Sequence, residues 1–162
     1  MRAVLSGLLL AALTVTSVTG CIRYYKTSSI KKSLKKAVKQ SGKAGSKATV
    51  GIVKARSALR RYEKGKARPK MEVVGRMKKL LGRMSRVQKK ISAYPPRFAK
   101  YEKEFTKLAG RKRRIRSDDE PRYSRVRKLI DEVHDLHDEL KSIVGQYKKL
   151  GNQFKSEAKK LK

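Results

Sequence analysis

The sequence predicts an all-α protein, an antiparallel three-helix coiled-coil bundle. Three observations lead to this fold class. Apolar residues recur at steps of three and four over long segments, which is the period of a coiled-coil seam. Glycine and proline divide these segments into three arms joined by short links, and short links make neighbouring helices antiparallel. Only 6% of residues are aromatic and none is Trp, so a thick core around a substrate pocket is not expected.

The first arm covers residues 29–64. Its apolar stripe is the weakest of the three and consists of Ile30, Leu34, Ala37, Ala44, Ala48, Ile52, Ala55, Leu59 and Tyr62. Residues 41–48 are mainly Ser, Gly, Lys and Ala. Because each glycine inside a helix costs about 1 kcal/mol relative to alanine, we expect this stretch to fray or act as a hinge.

The second arm covers residues 70–109. Its stripe consists of Val73, Met77, Leu80, Met84, Val87, Ile91, Tyr94, Phe98, Tyr101, Phe105 and Leu108. Pro95 and Pro96 interrupt the arm, and the missing N–H of Pro96 predicts a kink or short break there. The phase of the stripe continues across the prolines, so both halves should face the same partner.

The third arm covers residues 121–160 and has the most regular stripe. It consists of Val126, Leu129, Val133, Leu136, Leu140, Ile143, Tyr147, Leu150 and Phe154. Ser117 and Glu120 have the spacing of a capping box, and Pro121 suits the first helical turn. The preceding residues 111–116 are expected to form a solvated basic loop.

The charge is far from the globular average. The chain has 45 Lys and Arg against 13 Asp and Glu, a net charge of +32 in 162 residues. Between Ile22 and Ser117 there are 33 cations and four acids, whereas Asp118 to Lys162 has eleven and nine. The partner should therefore be anionic, a nucleic acid, acidic lipid head groups or an envelope polymer, and should contact the first two arms. The candidate polyanion-binding residues are Lys31, Lys32, Lys35, Lys36, Arg60, Arg61, Arg111, Lys112, Arg113, Arg114 and Arg116.

The acids of the third arm are clustered in residues 131–139. When the links fold the arms back on each other, this cluster should lie near basic residues of the other two arms. We expect it to set the register of the third helix, although exposed ion pairs stabilise a protein by only about 0 to 1 kcal/mol each.

Catalytic and metal-binding signals are weak. The sequence has neither a glycine-rich phosphate loop nor a convergent set of nucleophile, base and orienting residues, so enzyme activity and a cofactor are not expected. His134, His137 and Asp138 have a helical spacing that can chelate a metal, but a polar helix face explains them more simply. No metal site is therefore predicted. The seven aromatic residues of the stripes are expected to pack in the core, and Tyr24 and Tyr25 fit a membrane interface.

The amino terminus has the layout of a secretory signal peptide: Arg2, an apolar run from Val4 to Val15, then small residues. The run is shorter than the roughly 20 residues of a membrane-spanning helix. It ends at Val18-Thr19-Gly20-Cys21, and Cys21 is the single cysteine, which excludes disulfides and cysteine-rich zinc sites.

This ending resembles the lipobox of bacterial lipoproteins. The resemblance implies that residues 1–20 are removed between Gly20 and Cys21, and that Cys21 receives acyl chains such as palmitate and holds the protein on a bilayer. Residues 21–28 would then be a lipidated tether, followed by a basic helical domain over residues 29–162. The residue after the cysteine is Ile22 and not Asp, which resembles the lipoproteins that are sorted to the outer membrane. The domain would then face the periplasm.

A second topology remains open. Exported chains avoid positive charge directly after the apolar segment, yet Arg23, Lys26, Lys31 and Lys32 follow it closely. The positive-inside rule would hold such a flank in the cytoplasm, behind an uncleaved anchor.

Two functions fit these features. In the first, a lipid-anchored basic rod binds an envelope polyanion, peptidoglycan or lipopolysaccharide, as a tether or spacer. Lipobox, heptads and the terminal Lys162 are similar in plan to the murein lipoprotein, although this chain has three arms and is much more basic. In the second, the domain is a membrane-anchored nucleic-acid binder that contacts phosphates without sequence preference. Homo-oligomers through the heptad seams are compatible with both.

Overall fold

The structure is a computed structural model, and it describes residues 23–64 and 71–161. The predicted signal peptide, its cleavage site and the acylated Cys21 lie outside the described residues, as does Lys162. The elements are β1 (Tyr24–Lys26), α1 (Thr27–Lys64), α2 (Met71–Ser92), α3 (Tyr94–Ala109), β2 (Arg114–Arg116) and α4 (Glu120–Lys159). The predicted all-α bundle is confirmed, with α2 and α3 together forming the second arm. The two short strands were not predicted.

Helix α1 runs without a break through residues 41–48, so the expected hinge is wrong. The buried stripe passes through Ser41, which is 0% exposed, and Gly45, while Ala44 is only half-buried. A Cβ atom on Gly45 would lie 3.8 Å from Oγ of Ser92 on α2. The small residues therefore let α2 approach α1 closely, and this packing holds a segment that has little helix propensity of its own.

The second arm is interrupted where the two prolines predict it. The backbone N–H of Ala93 donates to the carbonyl of Lys90 at 3.1 Å, a short turn that ends α2 before α3 begins at Tyr94. Ile91, Tyr94, Phe98 and Phe105 are all buried, so the stripe keeps its phase across the break. The break at the prolines and the continuous phase of the stripe both agree with the sequence prediction.

The chain divides into two compact units. Of the described residues, the first unit comprises 23–39 and 96–137, and the second comprises 40–64, 71–95 and 138–161. Among the described residues, the core of the first unit contains Ile30, Leu34, Phe98, Phe105, Ala109, Ile115, Val126, Leu129, Val133 and Leu136. It includes a residue of β2, Ile115, in addition to the helical stripes.

The core of the second unit is formed by α1, α2 and α4. Its buried members are Ile52, Ala55, Leu59, Val73, Val74, Met77, Met84, Leu150 and Phe154. Polar contacts fix the helices around it: the Tyr147 hydroxyl donates to the carbonyl of Ala48 at 2.7 Å, and Nε2 of Gln88 donates to Oγ1 of Thr49 at 3.0 Å. Thus α1 is joined to both α2 and α4 within this unit.

Candidate anion-binding surfaces

Helix α1 has the largest net charge of the described helices. It contains twelve Lys and Arg and a single acid, Glu63. Nε and Nζ groups on a helix lie close together when they are three or four residues apart, and like charges at that spacing destabilise the helix by about 0.2 to 0.5 kcal/mol per pair. A helix with this composition is therefore expected to bind something that neutralises it.

The ion pairs of the described residues leave the cations of α1 without carboxylate partners. Glu63 pairs with Lys78 of α2 at 2.8 Å. No lysine or arginine of α1 lies within 4 Å of a carboxylate in the part of the chain that the structure describes. The other acids of the chain all lie on α2, α3, α4 or the segment before α4.

Several of those acids pair with cations of α2 and α4. In the second unit, Nε of Arg76 donates to Glu157 at 2.8 Å, and the hydrogen bonds of Lys160 and Arg76 lower the pKa of that carboxyl. In the first unit, Arg125 of α4 pairs with Glu104 of α3 and lies 3.8 Å from Glu132.

Contacts of the acidic cluster at 131–139 bear on its predicted role. Its Glu132 faces Arg125, and its Glu139 accepts a hydrogen bond from the Tyr94 hydroxyl at 3.3 Å. That the cluster sets the register of α4 stays a prediction.

Only some of the polyanion-binding residues predicted on α1 are among its most exposed cations. Lys32, Lys35, Arg60 and Arg61 are exposed, whereas Lys31 and Lys36 are half-buried. Sequence reasoning selected runs of adjacent cations and missed the other exposed cations of α1, which are Lys39, Lys43, Lys47, Lys54, Arg56 and Lys64. The signal that would have found them is the step of four from Lys35 through Lys39 and Lys43 to Lys47, which places four ammonium groups along one side of the helix.

The second group of predicted residues, 111–116, does not form a solvated loop. Strand β2 within it pairs antiparallel with β1, with Tyr24 opposite Arg116, Tyr25 opposite Ile115 and Lys26 opposite Arg114. Residues 24–28 of the predicted lipidated tether belong to β1 and the first turn of α1.

Hydrogen bonds close both ends of this strand pair. The Thr27 hydroxyl lies 2.9 Å from the carbonyl oxygens of both Lys112 and Arg113 and donates to them, and the Thr27 N–H donates to Arg113 at 3.2 Å. At the other end, Ser117 donates its N–H to the carbonyl of Arg23 at 2.8 Å, and its hydroxyl accepts the Arg23 N–H at 3.1 Å. Ser117 thus binds the chain before β1, and the predicted capping box with Glu120 is wrong.

The two faces of the strand pair differ. On one face, Ile115 is fully buried and the Tyr25 ring stacks on Tyr123 with centroids 4.7 Å apart. Burial and the neighbouring Tyr123 raise the pKa of Tyr25 to about 12. Successive residues of a strand point to opposite faces, so the other face presents Tyr24, Lys26, Arg114 and Arg116. There the Arg114 guanidinium lies 4.6 Å from the centroid of the Tyr24 ring.

The cations around β2 fall into two groups. Lys112 is 2.6 Å from Asp119, and this hydrogen bond, aided by Arg122, lowers the pKa of Asp119. Arg116 is 3.4 Å from Asp118, and the rest of the predicted set, Arg111, Arg113 and Arg114, is exposed. The ammonium group of Lys112 is thus engaged in an ion pair within the protein, whereas the arginines remain accessible to a ligand.

The residues with metal-binding spacing are not brought together. In residues 23–64 and 71–161, no group of three or more His, Cys, Asp or Glu side chains converges on a point that could hold an ion. His134 lines a small cavity of the first unit with Ile30, Leu34 and Leu129. The expected core role of the aromatic stripe residues is confirmed for Tyr94, Phe98, Phe105 and Phe154, which are buried. The other three, Tyr62, Tyr101 and Tyr147, are half-buried.

None of the described helices combines the length and apolarity needed to cross a bilayer. Comparison of the chain with protein-family models, curated proteins and solved structures finds no match.

Proposed function

We propose that the protein is a non-enzymatic, lipid-anchored envelope protein whose helix α1 binds an anionic envelope polymer, peptidoglycan or lipopolysaccharide, as a tether or spacer. The observation that carries this proposal is the pairing pattern of the charges. Twelve cations lie on α1 with one acid, and none of them has a carboxylate within 4 Å among the described residues.

The chemistry of the surface suits a flexible polyanion. Nine of the twelve cations are lysines, whose ammonium groups are compact charges on flexible stems and do not demand one geometry from the ligand. A step of four residues advances about 6 Å along a helix, so the row from Lys35 to Lys47 meets successive charges of an extended polymer. Binding of this kind releases counterions and weakens steeply with salt.

The anchoring part of the proposal comes from the amino terminus. Val18-Thr19-Gly20-Cys21 has the pattern of a lipobox, and Ile22 directs the lipoprotein to the outer membrane, facing the periplasm. Two or three acyl chains on Cys21 meet the requirement for stable anchoring, which a single chain does not. Loss of palmitate labelling in Cys21→Ser is the expected result, and labelling that persists in this variant contradicts the anchor.

Polymer binding is tested with the full chain and purified sacculi or lipopolysaccharide. The triple variant Lys35→Gln, Lys39→Gln and Lys43→Gln should release the protein at much lower salt than the parent chain does. The matched control replaces three exposed lysines of α4, Lys149, Lys155 and Lys159, with glutamine, and should behave like the parent chain.

Two results would argue against the proposal. Equal losses in the α1 variant and in the α4 control would show that net charge alone governs binding. Tighter, more salt-dependent retention on duplex DNA than on either envelope polymer would favour the nucleic-acid alternative.

A further inference from the structure

We propose that the strand pair next to the anchor is a binding surface for the headgroup phosphates of an anionic bilayer. The surface, which we call the ribbon platform, consists of Arg23, Tyr24, Lys26, Arg114 and Arg116. The inference deepens the proposed function and rests on its lipid anchor for the position of the platform, but it assigns different residues and a different ligand from the polymer-binding row of α1.

The platform is built by long-range pairing. Its two strands come from segments about ninety residues apart in the sequence, and the pairing in register puts Lys26 opposite Arg114 and Tyr24 opposite Arg116. Hydrogen bonds from Thr27 and Ser117 close both ends, and the buried Ile115 holds the pair on the core of the first unit. The cations are therefore carried by a fixed backbone.

The platform is strongly and accessibly positive. Arg23, Lys26, Arg114 and Arg116 are all exposed. In the described part of the chain, the carboxylate that pairs with one of these four cations is that of Asp118, which lies 3.4 Å from Arg116 while both side chains remain 56% exposed. Because this ion pair is so exposed to solvent, Arg116 can readily exchange it for a phosphate, which offers several acceptor oxygens to a guanidinium.

Tyr24 gives the platform an interfacial character. Its ring lies under the Arg114 guanidinium, at 4.6 Å from centroid to carbon. Tyrosine has an apolar ring and a polar tip and is enriched where membranes meet water. The ring and the guanidinium together present apolar surface and positive charge at one point. This combination suits the boundary where anionic headgroups meet acyl chains.

The position of the anchor selects a bilayer over other polyanions. Cys21 is three residues before Tyr24, and three residues span at most about 11 Å. The headgroup layer of each leaflet is about 5 to 8 Å thick. When the acyl chains of Cys21 are inserted, Tyr24 is therefore kept within a few ångströms of the headgroup layer.

Vesicle binding by the full chain with Cys21→Ser tests the platform without acylation. Each cation near an anionic surface contributes about fivefold in affinity, so Lys26→Gln with Arg114→Gln should reduce binding to phosphatidylglycerol vesicles about 30-fold. Binding to phosphatidylcholine vesicles, which measures the apolar amino-terminal segment, should not change. The control, Lys149→Gln with Lys155→Gln on α4, removes the same charge and should lose at most a few-fold on either vesicle.

A spectroscopic measurement localises the contact. Because the chain has no Trp, Tyr24→Trp places a single indole on the platform. Its emission should shift to the blue on phosphatidylglycerol vesicles, whereas that of Gln153→Trp, on an exposed site of α4, should not. The stacked Tyr25, with its raised pKa, reports that the platform variants remain folded.

The proposal is overturned if the platform variant and the α4 control lose equal affinity, if the loss is the same on neutral vesicles, or if the Tyr24→Trp emission is unchanged. Inorganic phosphate that competes as strongly as the vesicles would also overturn it, because the ligand would then be a free anion. These outcomes do not depend on whether the α1 triple variant still binds sacculi, so failure of the two proposals can be told apart.

Discussion

At the scale of single residues, close packing of α1 depends on glycine. Gly51 lies under Tyr147 of α4, and a Cβ atom at this position would be 2.4 Å from the tyrosine hydroxyl oxygen. That hydroxyl is fixed by its hydrogen bond to the carbonyl of Ala48. The glycine that weakens α1 as an isolated helix is therefore the residue that admits the neighbouring helix.

Gly51→Ala should lower the free energy of unfolding by about 1 to 3 kcal/mol, because the methyl group forces Tyr147 to move. Gly82→Ala is the matched control. It lies in a helix with open space around its Cβ position and should gain about 0.5 to 1 kcal/mol from helix propensity. In a denaturant double-mutant cycle, Tyr147→Phe should reduce the cost of Gly51→Ala. Independent, additive effects of the two substitutions would contradict the contact.

Tyr25 gives a prediction about pH. Its pKa is raised from 10.0 to about 12, first by burial and then by Tyr123. A group whose pKa is higher in the folded state contributes stability that is complete below its unfolded pKa. That contribution is lost as pH rises through the folded value. Ultraviolet titration should show one tyrosine ionising near pH 12, and this component should disappear in Tyr25→Phe. A titration unchanged by that substitution would contradict the stacked environment.

At the scale of elements, Ile115 determines whether β2 remains paired. It is fully buried in the middle of a three-residue strand between two exposed arginines. Ile115→Ala should lower the free energy of unfolding by about 2 to 4 kcal/mol through the cavity it leaves. Hydrogen exchange at the N–H groups of Thr27 and Ser117, which bridge the two strand segments, should accelerate in this variant.

The control for this prediction is Val53→Ala, since Val53 is 56% exposed on α1 and should cost at most about 0.5 kcal/mol. Unchanged exchange at Thr27 and Ser117 in Ile115→Ala would show that the strand pair does not depend on the isoleucine.

The helices were predictable from the sequence because their information is repeated. The stripe through Val126, Leu129 and Val133 has an apolar residue in every turn, so a polar residue at a single stripe position does not obscure the helical period. The break before Pro95 was predictable for a different reason: a proline N–H is absent whatever the tertiary contacts are.

The strand pair could not be predicted. Three residues are too few to show an alternation, and the single apolar residue of 111–116 is surrounded by cations, as in a solvated loop. Its partner, Tyr24–Lys26, is about ninety residues away. The sequence therefore identified individual cations of the candidate surfaces but not which of them lie together. Arg114 and Arg116 were identified, but only the structure shows that they lie beside Arg23 and Lys26.

At the scale of the whole molecule, the charge acts against the fold. A net charge of +32 on 162 residues produces self-repulsion, which is greater in a compact chain than in an expanded one. The acids offset part of it locally, on α2 to α4, while α1 stays unbalanced. The bundle is therefore expected to be most stable where salt or an anionic ligand screens α1.

Thermal unfolding should show this dependence directly. The Debye length falls from about 30 Å at 0.01 M salt to about 8 Å at 0.15 M, so Tm should rise over this range of sodium chloride. Lys35→Glu with Lys43→Glu places two acids among the cations of α1. This variant should melt higher than the parent chain at low salt and show a shallower rise. Lys149→Glu with Lys155→Glu on α4, where acids already balance the cations, should shift Tm less. A larger shift from the α4 pair would contradict the assignment of the unbalanced charge to α1, and with it the expectation that α1 is the surface an anionic partner neutralises.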